Sequence, residues 1–295
     1  MAVEQQMVEV TKGKEAEWIY FLKGFPWFPA IILATLFFTA IFAPLLSPHD
    51  PYLPSLYNRL MPPAWQEGGN PEYLLGTDSL GRDILTRIYF GARVSLVMAF
   101  AVVGIGGGIG LVLGIIAGYM EGVVSAVIMR VVDSLMAIPT ILLALVFAVT
   151  LGPSMRTVII ALSLLMWSRF ARMMRGDTLA LKNREFILQA KVAGASKWRI
   201  MRVHILPNVF NTFMVVVSLN VGQIIIAEAS LSFLGAGIPP PTPSWGQMVS
   251  EGRSYIATHW WLSFFPGVAL ALTVLAFNLF GDWLRDKLDP KLRQL

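Results

Sequence analysis

The residues best placed to do chemistry lie together in one polar, basic segment, residues 185–207 (EFILQAKVAGASKWRIMRVHILP), between two long apolar stretches. Its lysine and arginine side chains can form ion pairs, and Trp198 among them offers a large apolar contact. Helix-in-groove recognition uses this combination, because apolar anchors give affinity and a charged rim fixes register. The segment is therefore predicted to dock on a soluble partner.

Two short helices are predicted to present this docking surface. The apolar residues of the first helix recur at helical spacing: Phe186, Ile187, Ala190 and Ala193. Gly194 interrupts the pattern, Ser196 is placed to cap the second helix, and Pro207 is expected to end it. An interfacial helix held by lipid headgroups is the alternative, but lipid adsorption alone does not call for a small residue such as Gly194 between the helices.

The segment resembles the cytoplasmic signature loop of ABC-importer permeases, in which E-A-A is followed by three residues, Gly, nine residues and I-x-L-P. Gly194, Leu206 and Pro207 stand at the spacing of that motif, and Ala190 matches its second alanine. Three positions differ from the motif: Leu188 replaces Glu, Gln189 replaces the first Ala, and His204 replaces Ile. Residues 74–96 (LLGTDSLGRDILTRIYFGARVSL) and 228–246 (EASLSFLGAGIPPPTPSWG) resemble permeases of the dipeptide, oligopeptide and nickel importer group, specifically the C-type member of the pair.

The resemblance implies a type I ABC importer permease that forms half of a pore for small peptides or related solutes such as nickel complexes. It also implies three kinds of partner: a second, homologous permease, two cytoplasmic ATPases and an external substrate-binding protein. ATP and magnesium would bind those ATPases, and no cofactor is expected on this chain. The residues expected to couple to the ATPases are Phe186, Gln189, Ala190, Lys191, Gly194, Ala195, Ser196, Lys197, Arg199 and Pro207.

The composition indicates a polytopic membrane protein rather than a soluble one. Hydrophobic residues make up 56% of the 295 residues, charged residues 14%, and the mean hydropathy is +0.64. The absence of cysteine excludes disulfides and thiolate metal sites. His49, His204 and His259 are far apart and lack ligand spacing, so no metal site is expected. A net charge of +5 could suggest nucleic acid, but the distribution of the charge favours membrane topology instead.

Six membrane-spanning helices are predicted, making an all-α integral membrane domain over residues 26–281. The spans cover residues 26–46, 94–118, 129–151, 157–169, 209–234 and 260–281. Proline-rich outer loops are expected at 47–93 and 235–259, a coupling loop at 170–208, and tails at 1–25 and 282–295. The first tail lacks the apolar core and cleavage site of a signal peptide.

The distribution of positive charge sets the orientation of these spans. Nine Lys or Arg residues lie between positions 169 and 207, opposed by Asp177 and Glu185 alone, and the C-terminal tail adds four more. Because Lys and Arg accumulate on the cytoplasmic side, the coupling loop and both termini are predicted to be cytoplasmic. The chain is expected in the inner or plasma membrane of a prokaryote.

Two features within the spans are expected to matter for packing. Gly106, Gly110, Gly114 and Gly118 stand four residues apart, so one helical ridge lacks side chains. A neighbouring backbone can then approach closely, either in this chain's own bundle or in a partner subunit. In the third span Pro139 predicts a kink, and Arg130 and Asp133 either pair locally or contact another subunit.

Glu228 is the main ionisable candidate near a span, and it begins the predicted outer gate. The gate or pore candidates are Glu228, Ser230, Ser232 and Phe233. The alternative is that Glu228 only supports packing or snorkels to the interface. One alternative function is an ion-coupled secondary transporter, in which Glu228 would bind the coupling ion. Another is an intramembrane protease, which would need paired aspartates, or serine and histidine, that the spans lack. A nucleotide-binding G-x-x-x-x-G-K-[ST] loop is also absent, so a non-enzymatic transport subunit is expected.

Overall fold

A computed structural model describes residues 24–288, in which the secondary-structure elements are helices and no β-strand occurs. Nine helices organise this part of the chain: α1 (Trp27–Leu46), α2 (Ile84–Tyr119), α3 (Val123–Met136), α4 (Thr140–Leu151), α5 (Met155–Leu181), α6 (Glu185–Val192), α7 (Lys197–Phe233), α8 (Trp245–Gly252) and α9 (Trp261–Leu288). The predicted tail at 1–25, and the judgement that it is no signal peptide, fall almost wholly outside the described residues, as does the end of the second tail.

Five helices of the described chain are long and apolar enough to cross a membrane: α1, α2, α5, α7 and α9. The third predicted span is instead a broken pair, because α3 and α4 are bent by 85° across a break of three residues. Pro139 precedes α4, and it disfavours helical backbone at Ile138 while lacking an N–H for the helix ladder. The expected kink is therefore a sharp corner, and counting the pair as one span gives six.

The helices extend beyond the predicted apolar spans. Helix α2 begins at Ile84 rather than at 94, α5 continues to Leu181 rather than 169, and α9 reaches Leu288 rather than 281. Hydropathy locates only the apolar part of a helix, whereas the ends carry polar residues and caps. At the start of α2, the Asp83 carboxylate accepts a hydrogen bond from Thr86 N at 2.8 Å.

The expectation that Pro207 ends a short second helix is wrong. The helix that starts at Lys197 continues through Pro207 to Phe233, so it also contains almost all of the predicted fifth span. Residues Ile200–Ile205 form a π turn just before the proline. The wider π turn changes the hydrogen-bond ladder where the missing Pro207 N–H would otherwise leave a gap.

The glycine ridge of α2 packs against α5 of the same chain. A Cβ atom built at Gly110 would lie 2.4 Å from the Cβ of Phe170, and one built at Gly114 would lie 2.7 Å from Ala171 O. Gly106 and Gly118 make similarly close approaches to Ser163 O and Thr178 Cβ. The ridge therefore serves the chain's own bundle, and its glycines lie against α5 rather than on a free surface.

Aromatic side chains mark both ends of the bundle. At one end, Trp65 packs on Phe265 at 6.0 Å between ring centres, beside Trp260 and Phe264. At the other end, Phe25 packs on Trp27 at 4.8 Å and on Trp283 at 5.2 Å. Along α9, Phe264 and Trp283 are separated by about 28 Å at 1.5 Å per residue, close to the thickness of a bilayer's hydrocarbon core. Such belts are typical of the two membrane interfaces.

Candidate functional site

The basic segment forms a helix, a tight turn and the first turn of a second helix. Helix α6 ends at Val192, and Gly194 follows with φ +77°, in the left-handed region. Ser196 then caps α7, its hydroxyl accepting a hydrogen bond from Arg199 N at 3.3 Å. The turn and the cap stand where the spacing places them, because both depend on local sequence.

One face of this segment is anchored in the bundle. Ile187, Ile200 and Ile205 are fully buried, and Ala190 and Ala195 are partly buried against the same core. In the predicted docking face of Phe186, Ala190 and Ala193, Ala190 is partly covered by its own chain, whereas the other two are exposed. Helical spacing identifies apolar residues but does not say which of two neighbouring surfaces they meet.

The rest of the segment carries exposed apolar side chains with basic residues beside them. The large ones are Phe186 (39% exposed), Leu188 (46%), Val192 (91%), Trp198 (62%) and Val203 (53%). Gln189, Lys191, Lys197 and Arg199 are exposed beside them, and so is Pro207 on the first turns of α7. Exposed apolar groups rimmed by charge are typical of protein-binding surfaces. We call Phe186, Leu188, Val192 and Trp198 the docking face.

A cleft of about 450 Å³ lies where this segment meets the end of α2. Lys182, Lys191 and Lys197 line it together with Tyr119. The Lys191 Nζ lies over the Tyr119 ring, 5.7 Å from its centre, and Lys182 forms an ion pair with Glu121. Helices α2, α5 and α6 are thus joined by side chains at this end of the molecule.

At the far end of α7, Glu228 is fully buried rather than placed at a surface. Its Oε1 accepts a hydrogen bond from Ser232 Oγ at 2.7 Å, and Oε2 has no hydrogen-bond partner. The Ser244 hydroxyl, which caps α8, lies 3.3 Å from Ser232 Oγ. Snorkelling of Glu228 to the interface is therefore excluded, and the carboxyl group instead joins α7 to the start of α8.

Close backbone packing holds α8 on α7. A Cβ built at Gly246 would lie 2.4 Å from Ala229 O, so only glycine fits there. Ser230 and Phe233 do not join the Glu228 contact but line an apolar pocket of about 380 Å³ with Gly246, Val249 and Leu270. The predicted gate residues thus divide into a buried polar pair, Glu228 and Ser232, and a pocket-lining pair.

Sequence reasoning missed two sets of ionic contacts. Asp133 does not pair with Arg130 but with Arg172 of α5. At the end of the bundle that carries α8, Arg82 and Arg87 are buried with Asp78 and approach Glu251. Three of these residues stand in the stretch 74–96, but Glu251 is distant in sequence, and no pattern pairs it with them. Within residues 24–288, no group of three His, Asp or Glu residues could hold a metal ion.

Comparison with known proteins identifies the family. Residues 110–294 match the family described as binding-protein-dependent transport system inner membrane component. The dipeptide transport system permease protein DppC of Escherichia coli (strain K12) is 47% identical over 264 residues, which cover 90% of this chain and 88% of that protein. The di/tripeptide transport system permease protein DppC of Pseudomonas aeruginosa (strain UCBPP-PA14) is 40% identical over 89% of this chain and 87% of its own length.

A solved structure gives the same architecture. The MetNI methionine ABC transporter, in inward-facing conformations, matches with a TM-score of 0.54 and 20% identity, covering 68% of this chain and 96% of that one. At this identity the likeness shows the fold alone, which is that of the type I ABC importer permeases. Taken with the helical spans and the family match, the chain belongs to the binding-protein-dependent transport system inner membrane components, as a multi-pass permease subunit of an ABC importer.

Proposed function

We propose that this chain forms half of the pore of an importer for short peptides and that the docking face receives a cytoplasmic ATPase. The exposed docking face, rimmed by Lys and Arg, is the observation that carries the ATPase contact. A groove on a soluble subunit would cover its apolar side chains, while the basic rim would set the register. ATP and Mg²⁺ would bind to that subunit and not to this chain.

The anchoring of the segment supports a mechanical role. Ile187 and Ile200 are buried in the core and hold α6 and the start of α7 against the bundle. A displacement of the docking face would therefore also displace the helices that contact these residues. The Lys191–Tyr119 contact adds a link to α2. A segment that only adsorbed to lipid would not need this second, inward-facing set of anchors.

Glu228 and Ser232 are proposed to form the outward gate, together with the cap of α8. The hydrogen-bonded pair joins the last turns of α7 to Ser244, and Ser230 and Phe233 line the neighbouring pocket. Separation of α8 from α7 would expose this region to solute from outside. In the present structure, the close contact between Gly246 of α8 and Ala229 of α7 would keep solute out of this region.

The proposed topology places both termini and the docking face in the cytoplasm. The residues between 169 and 207 carry nine Lys or Arg, and the loop before α2 and helix α8 lie at the opposite end of α2 and α7. A second, homologous permease would complete the pore, and an external binding protein would deliver solute to the outer end. Domain limits follow from this placement: a tail at 1–25, the membrane domain at 26–281 and a tail at 282–295.

Short peptides are the proposed substrates because the two relatives described above transport dipeptides or di- and tripeptides by name. The test is ATP-driven uptake by the assembled transporter in proteoliposomes, with labelled dipeptides and tripeptides and with a nickel complex as the competing solute. Uptake of peptide that requires ATP, the binding protein and an intact docking face is expected. Uptake of the nickel complex alone would contradict the proposed substrate class.

A further inference from the structure

Four charged side chains from three parts of the chain meet at its outer end. Asp78 and Arg82 come from the loop before α2, Arg87 from the first turn of α2, and Glu251 from the last turn of α8. Arg82 Nε donates to Asp78 Oδ2 at 2.7 Å, and Arg82 Nη2 donates to Glu251 Oε2 at 3.3 Å. Arg82 therefore ties α8 to the loop.

Arg87 occupies a second position in the same cluster. Its Nε lies 3.6 Å from Asp78 Oδ2 and its Nη2 lies 3.7 Å from Glu251 Oε2, so each carboxylate oxygen is closer to Arg82. Both distances are too long for hydrogen bonds, and none of the three guanidinium nitrogens of Arg87 has a hydrogen-bond partner. A guanidinium has five donor N–H groups, and this one is fully buried.

Such a guanidinium is an unfavourable choice for a purely structural position. Burial of a charged donor without hydrogen bonds is destabilising, and an apolar side chain of similar volume often serves as well or better. A second arrangement of the chain, in which the guanidinium of Arg87 donates hydrogen bonds, would explain an arginine at this position. Movement of about 1 Å would bring either carboxylate within hydrogen-bond distance of it.

Helix α8 can supply that movement through Glu251. The Glu251 side chain keeps 28% of its surface exposed, and its other oxygen accepts a hydrogen bond from Gln247 Nε2 at 2.8 Å within α8. Glu251 and Gln247 would therefore move together with α8. A shift of this helix towards α2 would transfer Glu251 from Arg82 to Arg87.

We propose that Arg87 is a positioning residue of the outer end, which receives Glu251 from Arg82 when α8 changes position. The proposal rests on the transport function, because a permease whose outer end opens and closes needs α8 to be held in two places. Helix α8 also carries the Ser244 cap and Gly246, so the exchange would change the packing around Glu228.

The experiment uses the complete transporter in nanodiscs and exploits the absence of cysteine from this chain. Cysteines introduced at the exposed positions Leu80 and Ser254 carry spin labels, and their separation is measured without nucleotide and with ATP under conditions that block hydrolysis. We expect two distances, with ATP favouring the second. Arg87→Met should keep the first distance and reduce the population of the second about tenfold, because a charged hydrogen bond is lost only in the second arrangement.

Arg93→Met is the matched control, since Arg93 is an exposed arginine on the same helix as Arg87 and should leave both populations unchanged. Populations in Arg87→Met equal to those of the unsubstituted chain would overturn the proposal. If Arg87→Met fails to assemble, Glu251→Gln tests the same exchange from the carboxylate. A normal ATP-dependent shift in Glu251→Gln would overturn the proposal equally.

The outcomes separate this proposal from the proposed function. ATP-driven import together with a single, unchanging distance between positions 80 and 254 would contradict the role of Arg87 alone. Absence of import by the unsubstituted transporter would contradict the proposed function, and the role of Arg87 with it.

Discussion

Lys197 and Glu228 lie on the same unbroken helix, 31 residues apart, which corresponds to about 46 Å along the axis of α7 at 1.5 Å per residue. Lys197 starts the helix beside the docking face, and Glu228 is buried close to its other end. The two candidate sites are thus joined by one continuous helix rather than by a chain of loops.

The docking face gives the first prediction. Phe186→Asp places a charge in an apolar contact, so co-purification of the ATPase subunits and substrate-stimulated ATP hydrolysis should both fall strongly. Phe186 is 39% exposed, so the change should spare membrane insertion and pairing with the second permease. Phe186→Leu, which keeps an apolar side chain, is the matched control. Normal docking and normal hydrolysis in Phe186→Asp would remove this segment from the coupling role.

Gly194 gives a second prediction, which isolates backbone conformation from packing. Its φ is +77°, and a Cβ at this position would meet no atom within 4 Å. Gly194→Val should therefore act through backbone strain alone, at about 1–2 kcal/mol, and tilt α6 against α7. Gly194→Asn is the control, because asparagine tolerates the left-handed region better. We expect weaker ATPase binding in the valine variant than in the asparagine variant, and equal binding by the two would argue against a role for this turn.

Local sequence predicts this turn well, but it predicts the elements around the turn less well. The Gly194 turn and the Ser196 cap depend on neighbouring residues and are found where the spacing places them. The prediction that Pro207 ends a helix is wrong because a π turn precedes the proline and lets the helix continue. That turn forms in the packed bundle. The Arg82–Glu251 contact joins residues 169 positions apart, and the sequence predicts that both residues lie in solvated loops. Contacts of that range are set by tertiary packing, which periodicity does not describe.

The Gly110 packing contact supports a third prediction, about stability. A methyl group at Gly110 would overlap Phe170 Cβ and lie 2.6 Å from Trp167 O, so Gly110→Ala should destabilise the bundle by about 1–3 kcal/mol. The gain in helix propensity of about 0.5–1 kcal/mol offsets only part of this. Gly108→Ala is the control, since a Cβ there meets nothing within 4 Å, and it should be neutral or stabilising. Thermal unfolding in detergent measures both, and equal midpoints would contradict the close α2–α5 contact.

A fourth prediction tests the orientation in the membrane. Cysteines at the exposed positions Glu67 and Ala257 should react with an impermeant reagent from outside, and one at the exposed Asn183 should react only from inside. The unsubstituted chain contains no cysteine, so the reagent labels this chain only at the introduced position. Labelling in the opposite sense would reverse the proposed topology.

The last prediction concerns Glu228, where the roles of gate and coupling-ion site give different results. Glu228→Gln keeps an oxygen that can accept from Ser232, so the subunits should still assemble. It replaces the unpartnered Oε2 with an amide group whose N–H donors need new partners, and opening and closing of α8 should be slowed. We expect reduced peptide uptake with normal co-purification of all subunits. Ser232→Ala, which removes the donor but leaves the carboxyl group in place, should reduce uptake in the same direction.

Collapse of the proton gradient with ATP maintained separates the two roles of Glu228. A gate in an ATP-driven importer continues to work under these conditions, because ATP supplies the free energy for transport. A coupling-ion site does not, since its driving force is lost at once. We expect uptake to persist in the unsubstituted transporter and to remain low in Glu228→Gln. Immediate loss of uptake in the unsubstituted transporter would instead assign Glu228 to ion coupling.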